Sequence, residues 1–582
     1  MLLKKFRIIA LLVIITFLNS CKQDNSVIES KTTFEKSNGL ETPKYHEVVD
    51  FYKNLASNYK TIQLYEMGNT DSDKPLHLVV FSTTSITNLD ELKDRNVLLV
   101  NNGIHPGESD GIDASMLLVR DLAEEKIELP KNLTLAVIPV YNIGGALNRN
   151  SYSRTNQNGP VAYGFRGNAR NFDLNRDFIK VDTKNAKSFA KLFHTIQPDW
   201  FIDNHVSNGA DYQYVLTHLF SQHNKLNYNL GSYLHHTIMP QLEDSLQAKN
   251  WDITPYVNVY NNTPEIGFSQ FMDHPRYSTG YTSLFGTVSM MVETHMLKPY
   301  KDRVIGTYEL MKSFIKIADN EGNKLQTLKK EYFKNYTAGN YYPLQWIIDS
   351  TQKSILDFKG YEATRELSNV TGKPRLRYLT DKPFNKPVDY YNYFKPKDSV
   401  IIPKQYILPQ GFWPILESLK NNSIHINQFK KDTLIEVEVY HISKYETYKR
   451  PYEGHYPHYN TKVTSTIENL EVKEGDYWID TQQTGVRYLL ETLEPEAVDS
   501  FFNWNYFDTL LQQKEGFSAY VWEDLAYSFL ENNPEIKIEF NEKKKRDESF
   551  ANNWYAQLDW IHKKSPYYEK AHLRYPIVRV LK

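Results

Sequence analysis

Val97-Leu98-Leu99-Val100 is an unbroken apolar run, and after four further residues the chain reads His105-Pro106-Gly107-Glu108. An apolar run without polar alternation predicts a strand buried on both faces, as in a parallel or mixed sheet covered by helices. The histidine and the glutamate therefore leave the end of a core strand, where open α/β sheets place their ligand sites. One imidazole and one carboxylate supply two of the three protein groups that a catalytic zinc takes while keeping a position open. A third ligand is then expected downstream, at the end of another strand.

Outward from that run, apolar residues alternate between helical and strand spacing. Val48 to Tyr59 predicts an amphipathic helix, Leu76 to Ser82 a strand, Asp113 to Glu124 a helix and Leu133 to Val140 a strand. Lys184 to Ile196 predicts a helix, Trp200 to Asp203 a short buried strand, Leu226 to Leu246 a long helix, Val288 to Val292 a buried strand and Tyr300 to Ala318 a closing helix. This alternation predicts a mixed α/β sheet covered on both faces. Beyond about Asn323 proline and tyrosine rise and short strands such as Leu434 to Tyr440 stand between turn-rich segments. One strand–helix–strand unit is expected there, from Val400-Ile401-Ile402 through Trp413 to Leu419 and on to Ile424-His425-Ile426.

At 582 residues the chain is too long for one core. The expected division is a leader (1–21), a polar tether (22–42), an α/β domain (43–322) and a β-rich accessory region of one or two domains with some helix (323–582). A formal charge of −2 at pH 7 gives no reason to expect a nucleic-acid partner. The 42 tyrosines fit β-structure at a wet surface. Lys4, Lys5 and Arg7 precede the apolar stretch Ile8 to Phe17, which is too short to span a bilayer comfortably, and Leu18-Asn19-Ser20-Cys21 closes it. This order resembles a bacterial lipoprotein signal, which implies acylation of Cys21 and an envelope enzyme held outside the cytoplasm by lipid alone. Cys21 is the only cysteine, so no disulfide is expected in the mature chain.

Phe201-Ile202-Asp203-Asn204-His205 supplies the third ligand: a short apolar strand that ends in a histidine, built like the first site. Two imidazoles and a carboxylate suit zinc better than magnesium or calcium, which prefer all-oxygen shells. In Asn171-Phe172-Asp173-Leu174-Asn175-Arg176-Asp177-Phe178 an arginine fork beside an asparagine can bind a carboxylate, and Arg154 adds a second cation upstream. Val292-Glu293-Thr294-His295 ends a buried strand with a carboxylate that is costly there unless paired or used. Beside zinc, such a glutamate can take a proton from water and return it to a leaving amine. His295 reads as a hydrogen-bonded core histidine, and His455 and His458 as members of a solvated tyrosine/histidine loop.

In this order the elements resemble the zinc carboxypeptidase family, the metallopeptidases of the carboxypeptidase A type. The resemblance covers roughly Pro43 to Ala318 and implies an eight-stranded mixed sheet between helices. It implies His105, Glu108 and His205 as ligands of one zinc ion per chain and Glu293 as general base and acid. Arg154 would polarise the scissile carbonyl, and Asn175 and Arg176 would hold the terminal carboxylate of a peptide substrate. Asp173 would fix the tautomer of His105, and Tyr277 would cap the substrate. Tyr281 competes with Tyr277, and Arg149, Arg166 and Arg170 compete with Arg154. No residue is marked as the specificity determinant. A zinc amidase acting on N-acyl amino acids, and a non-catalytic lipoprotein that binds peptide or glycan, are the contrasting expectations.

Overall fold

The computed structural model describes residues 31–582; the expected leader 1–21, Cys21 and the first part of the tether lie outside the described residues. Among the described residues of the first half there are nine strands: β1 (Ile62–Asn69), β2 (Pro75–Phe81), β3 (Asn96–Asn101), β4 (Leu133–Ile138), β5 (Trp200–Ser207), β6 (Leu216–Phe220), β7 (Ile253–Pro255), β8 (Phe268–Ser269) and β9 (Val288–His295). All but β8 join one eight-stranded sheet in the order β1-β2-β4-β3-β5-β9-β6-β7. Its middle, β4-β3-β5-β9, is parallel, while β1, β2 and β6 pair antiparallel with their inner neighbours. The mixed sheet expected from the run Val97–Val100 is therefore the observed one.

Every residue of β3 and β5 is buried, and the two-residue period divides them between two cores. Leu98, Val100, Trp200 and Ile202 pack on one side with Leu118 and Phe314, which belong to the helices Asp110–Ala123 and Tyr300–Tyr332. Leu99 and Phe201 face the other side, with Phe189 and Phe193 of the helix Lys184–Ile196.

The structure departs from the sequence expectations in four places. The closing helix does not stop at Ala318 but runs to Tyr332, because Leu325, Leu328 and Tyr332 continue the helical spacing and are buried. The expected boundary at 322/323 thus falls inside a helix. The long helix expected over Leu226 to Leu246 is interrupted by a π-turn, Leu234–Ile238, next to Pro240, which has no N–H to donate. The tether is not free over its described part: the short helix Thr33–Lys36 is closed by a Thr32/Glu35 capping box. Phe34 is buried beside the Tyr300 ring, and Glu35 pairs with Arg120 at 2.6 Å. Fourth, the strand before the helix Trp413–Asn421 is Gln405–Leu408 rather than 400–402.

The second half is β-rich, as expected. Six strands, among them Gln405–Leu408, Thr433–Thr447, His458–Val472 and Val578–Val580, form a second sheet. A long hairpin, Ser354–Leu367 with Pro374–Tyr391, adds parallel to β8 through Tyr390 and Phe268. The helices between Ala519 and Lys564 have a small core of their own around Trp522, Phe540 and Phe550. The region is not otherwise separable. Tyr406, Ile479, Tyr488 and Phe501 share one apolar cluster with Leu99, Phe201 and Tyr281, so the second half completes the core on one face of the first sheet. A chain stopped after Tyr332 is therefore expected to be insoluble, or to lack the near-UV circular dichroism of fixed aromatic packing. A soluble fragment with a cooperative melt would show that the core is not shared.

Candidate active site

The site forms where three neighbouring parallel strands end. From β3 the chain crosses to β4 on one side, and the next strand of the sheet, β5, lies on the other side of β3. The crevice between β3 and β5 is thus the switch point at which open sheets bind ligands. His105 and Glu108 occupy the turn from β3 into the helix Asp110–Ala123, closed by a 2.7 Å bond from Glu108 N–H to His105 C=O. A side chain at Gly107 would place its Cβ 2.3 Å from Arg154 Nε and 2.8 Å from the Gly164 carbonyl, so glycine is needed where the arginine crosses. His205 lies within β5 and is in direct register with Glu293 of β9.

One ligand atom from each of His105, Glu108 and His205 falls within 4.8 Å of the others, and each of the three residues is 3% exposed. Nδ1 of His105 lies 3.1 Å from Glu108 Oε1, and Nδ1 of His205 lies 3.0 Å from Glu108 Oε2. The far nitrogens point away: Nε2 of His105 donates to Asp173 Oδ1 and Nε2 of His205 to Asp203 Oδ2, both at 2.9 Å. Carboxylates so placed set the tautomer and angle of each ring and raise its basicity as a metal ligand. The donor set, two nitrogens turned inward and one carboxylate, fits zinc with a position left open. Burial pushes the Glu108 carboxyl up, but Arg154 and the two histidines outweigh it and hold Glu108 well below the usual carboxylate range. Burial also pushes Asp173 up, and His105, Arg166 and Arg176 again reverse the direction.

The triad opens into a cavity of about 580 Å³ that Glu293, Arg154, Asn175, Arg176 and Tyr277 also line. The residues expected from the sequence thus line one cavity. Burial pushes the Glu293 carboxyl up to about 8, with His205 opposing and Glu108 adding to the rise. No hydrogen bond engages that carboxyl among the described residues. Arg154 donates through Nη2 to Glu108 Oε1 at 2.7 Å and through Nη1 to Gln157 at 3.1 Å. Arg176 donates through Nη1 to the Asn175 carbonyl at 2.8 Å, and its guanidinium lies 4.6 Å from the centre of the Tyr277 ring. Asn175 is fixed by the Ser278 N–H, which donates to its side-chain oxygen at 3.1 Å.

The competing assignments separate by environment. Tyr281 is 0% exposed and bonds to Asn422 in the core, so it is not a substrate cap, whereas Tyr277 faces the cavity. Arg149 is spent on the carbonyls of Thr42, Pro43 and Ala162, and Arg170 lies against Phe172. Arg166 does line the cavity, half-exposed and paired with Asp173 at 2.9 Å. His295 is the core histidine expected, bonded to Asp211 at 2.9 Å.

Two features escaped the sequence reading. Asp203 is the acceptor behind His205, and its position two residues earlier on one strand was signal enough, because strand residues two apart share a face. The loop 448–457 is solvated on its outer side, where Tyr448 and Tyr456 are exposed, but not on its inner side. Tyr452 and His455 are half-buried, His458 is buried, and the loop docks on the segment around Arg176.

Residues 48–201 match the sequence model of the zinc carboxypeptidase family. Carboxypeptidase 2 of Trichophyton rubrum is 22% identical over 503 residues, which cover 80% of this chain and 84% of that protein. Carboxypeptidase 2 of Trichophyton equinum is 22% identical over 504 residues, with the same coverage, 80% and 84%. Among solved structures, a metallo-carboxypeptidase from Burkholderia cenocepacia is 16% identical, with a TM-score of 0.35 over 49% of this chain and 69% of that one. Carboxypeptidase A from Helicoverpa armigera is 15% identical, with a TM-score of 0.36 over 48% of this chain and 74% of that one. His205 and Glu293 lie beyond the matched segment, and it is the pairing of β3, β5 and β9 that brings them to His105 and Glu108. Over residues 48–201 the chain is thus similar to the zinc carboxypeptidase family, and the relatives it resembles along most of its length are carboxypeptidases by name.

Proposed function

We propose that this metallocarboxypeptidase releases the last residue of peptides that carry a free C-terminus, with Glu293 as general base and acid. The observation that carries the reading is a single cavity lined by the His105–Glu108–His205 triad, by Glu293 and by the pair Asn175 and Arg176. An arginine and an amide are suited to a terminal carboxylate, and their presence in the cavity with the triad favours cleavage next to the chain end. When held by His105, Glu108 and His205, zinc supplies a Lewis acid and lowers the pKa of water.

The protein's own groups do the rest. Arg176 and Asn175 bind the terminal carboxylate and so set the register of the substrate. Arg154 donates to the scissile carbonyl as negative charge gathers on its oxygen. Glu293 accepts the proton of the attacking water and delivers it to the departing amine, and burial, which raises its pKa, suits a carboxyl that must hold a proton in transit. Tyr277, beside Arg176, covers the bound end. Glu108 and Glu293 are the only carboxylates lining the cavity among the described residues, and Leu219, Phe271 and Met291 add apolar wall. An apolar terminal side chain is therefore preferred over a basic one.

The test is to incubate the zinc-loaded protein with matched peptides ending in Phe, Leu or Lys, each with a free or an amidated terminus, and with N-acyl amino acids. Free-terminated Phe and Leu peptides are expected to lose one residue, and a zinc-selective chelator to stop the release reversibly. Faster hydrolysis of N-acyl amino acids than of peptides would assign the site to an amidase.

A further inference from the structure

A hairpin tip from the second half closes on the carboxylate-binding segment. The loop 448–457 joins the strands Thr433–Thr447 and His458–Val472, and its turn is held by two backbone bonds between Tyr452 and His455. From this turn the Tyr452 hydroxyl accepts a hydrogen bond from Arg176 Nε at 2.8 Å. The next residue, Glu453, accepts the Asp173 N–H at 2.8 Å, and His455 Nε2 donates to Asp182 at 2.8 Å. Gly454, at φ +79°, lies against the Phe172 ring, which would stand 3.2 Å from a Cβ there. The tip thus grips the segment 172–182 at both ends and in the middle.

Tyr452 is itself braced. Its ring stacks on Trp504 at 6.0 Å and 16°. Arg276 lies 5.1 Å from the centre of the Trp504 ring and pairs with Asp499 at 2.7 Å. Arg276 precedes Tyr277, so groups of the second half hold both neighbours of that tyrosine, Arg276 on one side and Arg176 on the other.

The division of the Arg176 donors gives the contact its meaning. Nε is committed to Tyr452 and one Nη1 hydrogen to the Asn175 carbonyl, while Nη2 makes no hydrogen bond among the described residues. Holding the inner edge leaves the outer edge of the fork, Nη1 and Nη2, for a carboxylate in the cavity. Tyr452 does not line that cavity. We infer that Tyr452 is a positioning residue of the active site, whose hydroxyl presents the Arg176 guanidinium to the terminal carboxylate of the substrate. The inference rests on the proposed role of Arg176. It makes the second half part of the binding site, in addition to part of the core. A guanidinium fixed before binding loses less side-chain freedom on meeting its ligand, so the contribution appears in binding rather than in the chemical step.

The experiment uses the full-length zinc-loaded enzyme and the substitution Tyr452→Phe, which removes the hydroxyl and keeps the ring on Trp504. KM for a free-terminated peptide is expected to rise about three- to tenfold, with kcat changed less than about twofold. Inhibition by free phenylalanine, a competitor that carries the same carboxylate, is expected to weaken by the same factor, with zinc content and Tm unchanged. In an Arg176→Ala background, where KM is already raised, Tyr452→Phe is expected to have no further effect. Raised KM in Arg176→Ala with normal KM in Tyr452→Phe overturns the positioning role alone. Normal KM in Arg176→Ala overturns the carboxylate reading and the inference with it. Equal losses in kcat and Tm in Tyr452→Phe would make the contact a structural one and overturn the inference as well.

Discussion

Glu293→Gln is expected to retain one zinc ion per chain and to lose about 10²- to 10⁴-fold in kcat, the range carried by a positioned proton-transfer group. The substitution keeps the size and shape of the side chain. It removes no hydrogen bond of the carboxyl among the described residues, so folding has little to lose. What it removes is the capacity to take and return a proton. The residue sits at the end of β9 in register with His205, beside the candidate metal triad without belonging to it. Burial raises its pKa to about 8, close to the working range of a group that must accept a proton in one half of the reaction and release it in the other. Metal analysis of the purified variant, together with kcat for a single free-terminated peptide, checks both halves of the expectation. Turnover near that of the wild type would remove Glu293 from the role of base, and loss of zinc would show that it helps to hold the metal.

The site was legible where it followed from local pattern. The run Val97–Val100, the HxxE after it and a histidine closing the apolar stretch Phe201-Ile202 gave strand ends that carry ligands, and adjacent parallel strands bring such ends together. Asp173 was legible only through the family resemblance, because nothing in the turn it shares with Asn175 and Arg176 points to His105. Less was legible where tertiary packing decides. Nothing local to Tyr452 points to Arg176, which lies 276 residues away. A tyrosine- and histidine-rich turn has the composition of a wet loop, and only docking on 172–182 draws Tyr452 and His455 out of the solvent. The second half looked like an appendage because its change of texture suggested a boundary, yet Tyr488 and Phe501 pack with Phe201 in one core. The strand β1 was missed because five of its eight residues, from Gln63 to Met67, alternate poorly, and its outer face is half-exposed. The closing helix was cut short although Leu325, Leu328 and Tyr332 kept its period, because a polar stretch intervenes before them.

His205→Ala is expected to abolish zinc binding and activity together, and the argument runs through the buried carboxylates as much as through the lost ligand. His205 supplies one of three donors, and a site reduced to His105 and Glu108 lacks the closed set that catalytic zinc requires. The same ring also separates Glu108 from Asp203, bonding to the first at 3.0 Å and to the second at 2.9 Å. Without it, Glu108 keeps the Val206 N–H and Arg154, and Asp203 keeps the Ser278 hydroxyl and the Asn101 amide. Those partners allow the variant to fold. Equilibrium dialysis should then find near-zero zinc per chain, and added zinc should no longer raise Tm as it does for a native state that binds metal. Asp203→Asn is the graded comparison. It leaves the ligand in place and weakens only the acceptor behind it, so zinc affinity is expected to fall by about 10- to 100-fold rather than vanish. Stoichiometric zinc in His205→Ala would separate the later histidine from the centre and undo the metal assignment. Unchanged affinity in Asp203→Asn would undo only the claim that this carboxylate tunes the ring.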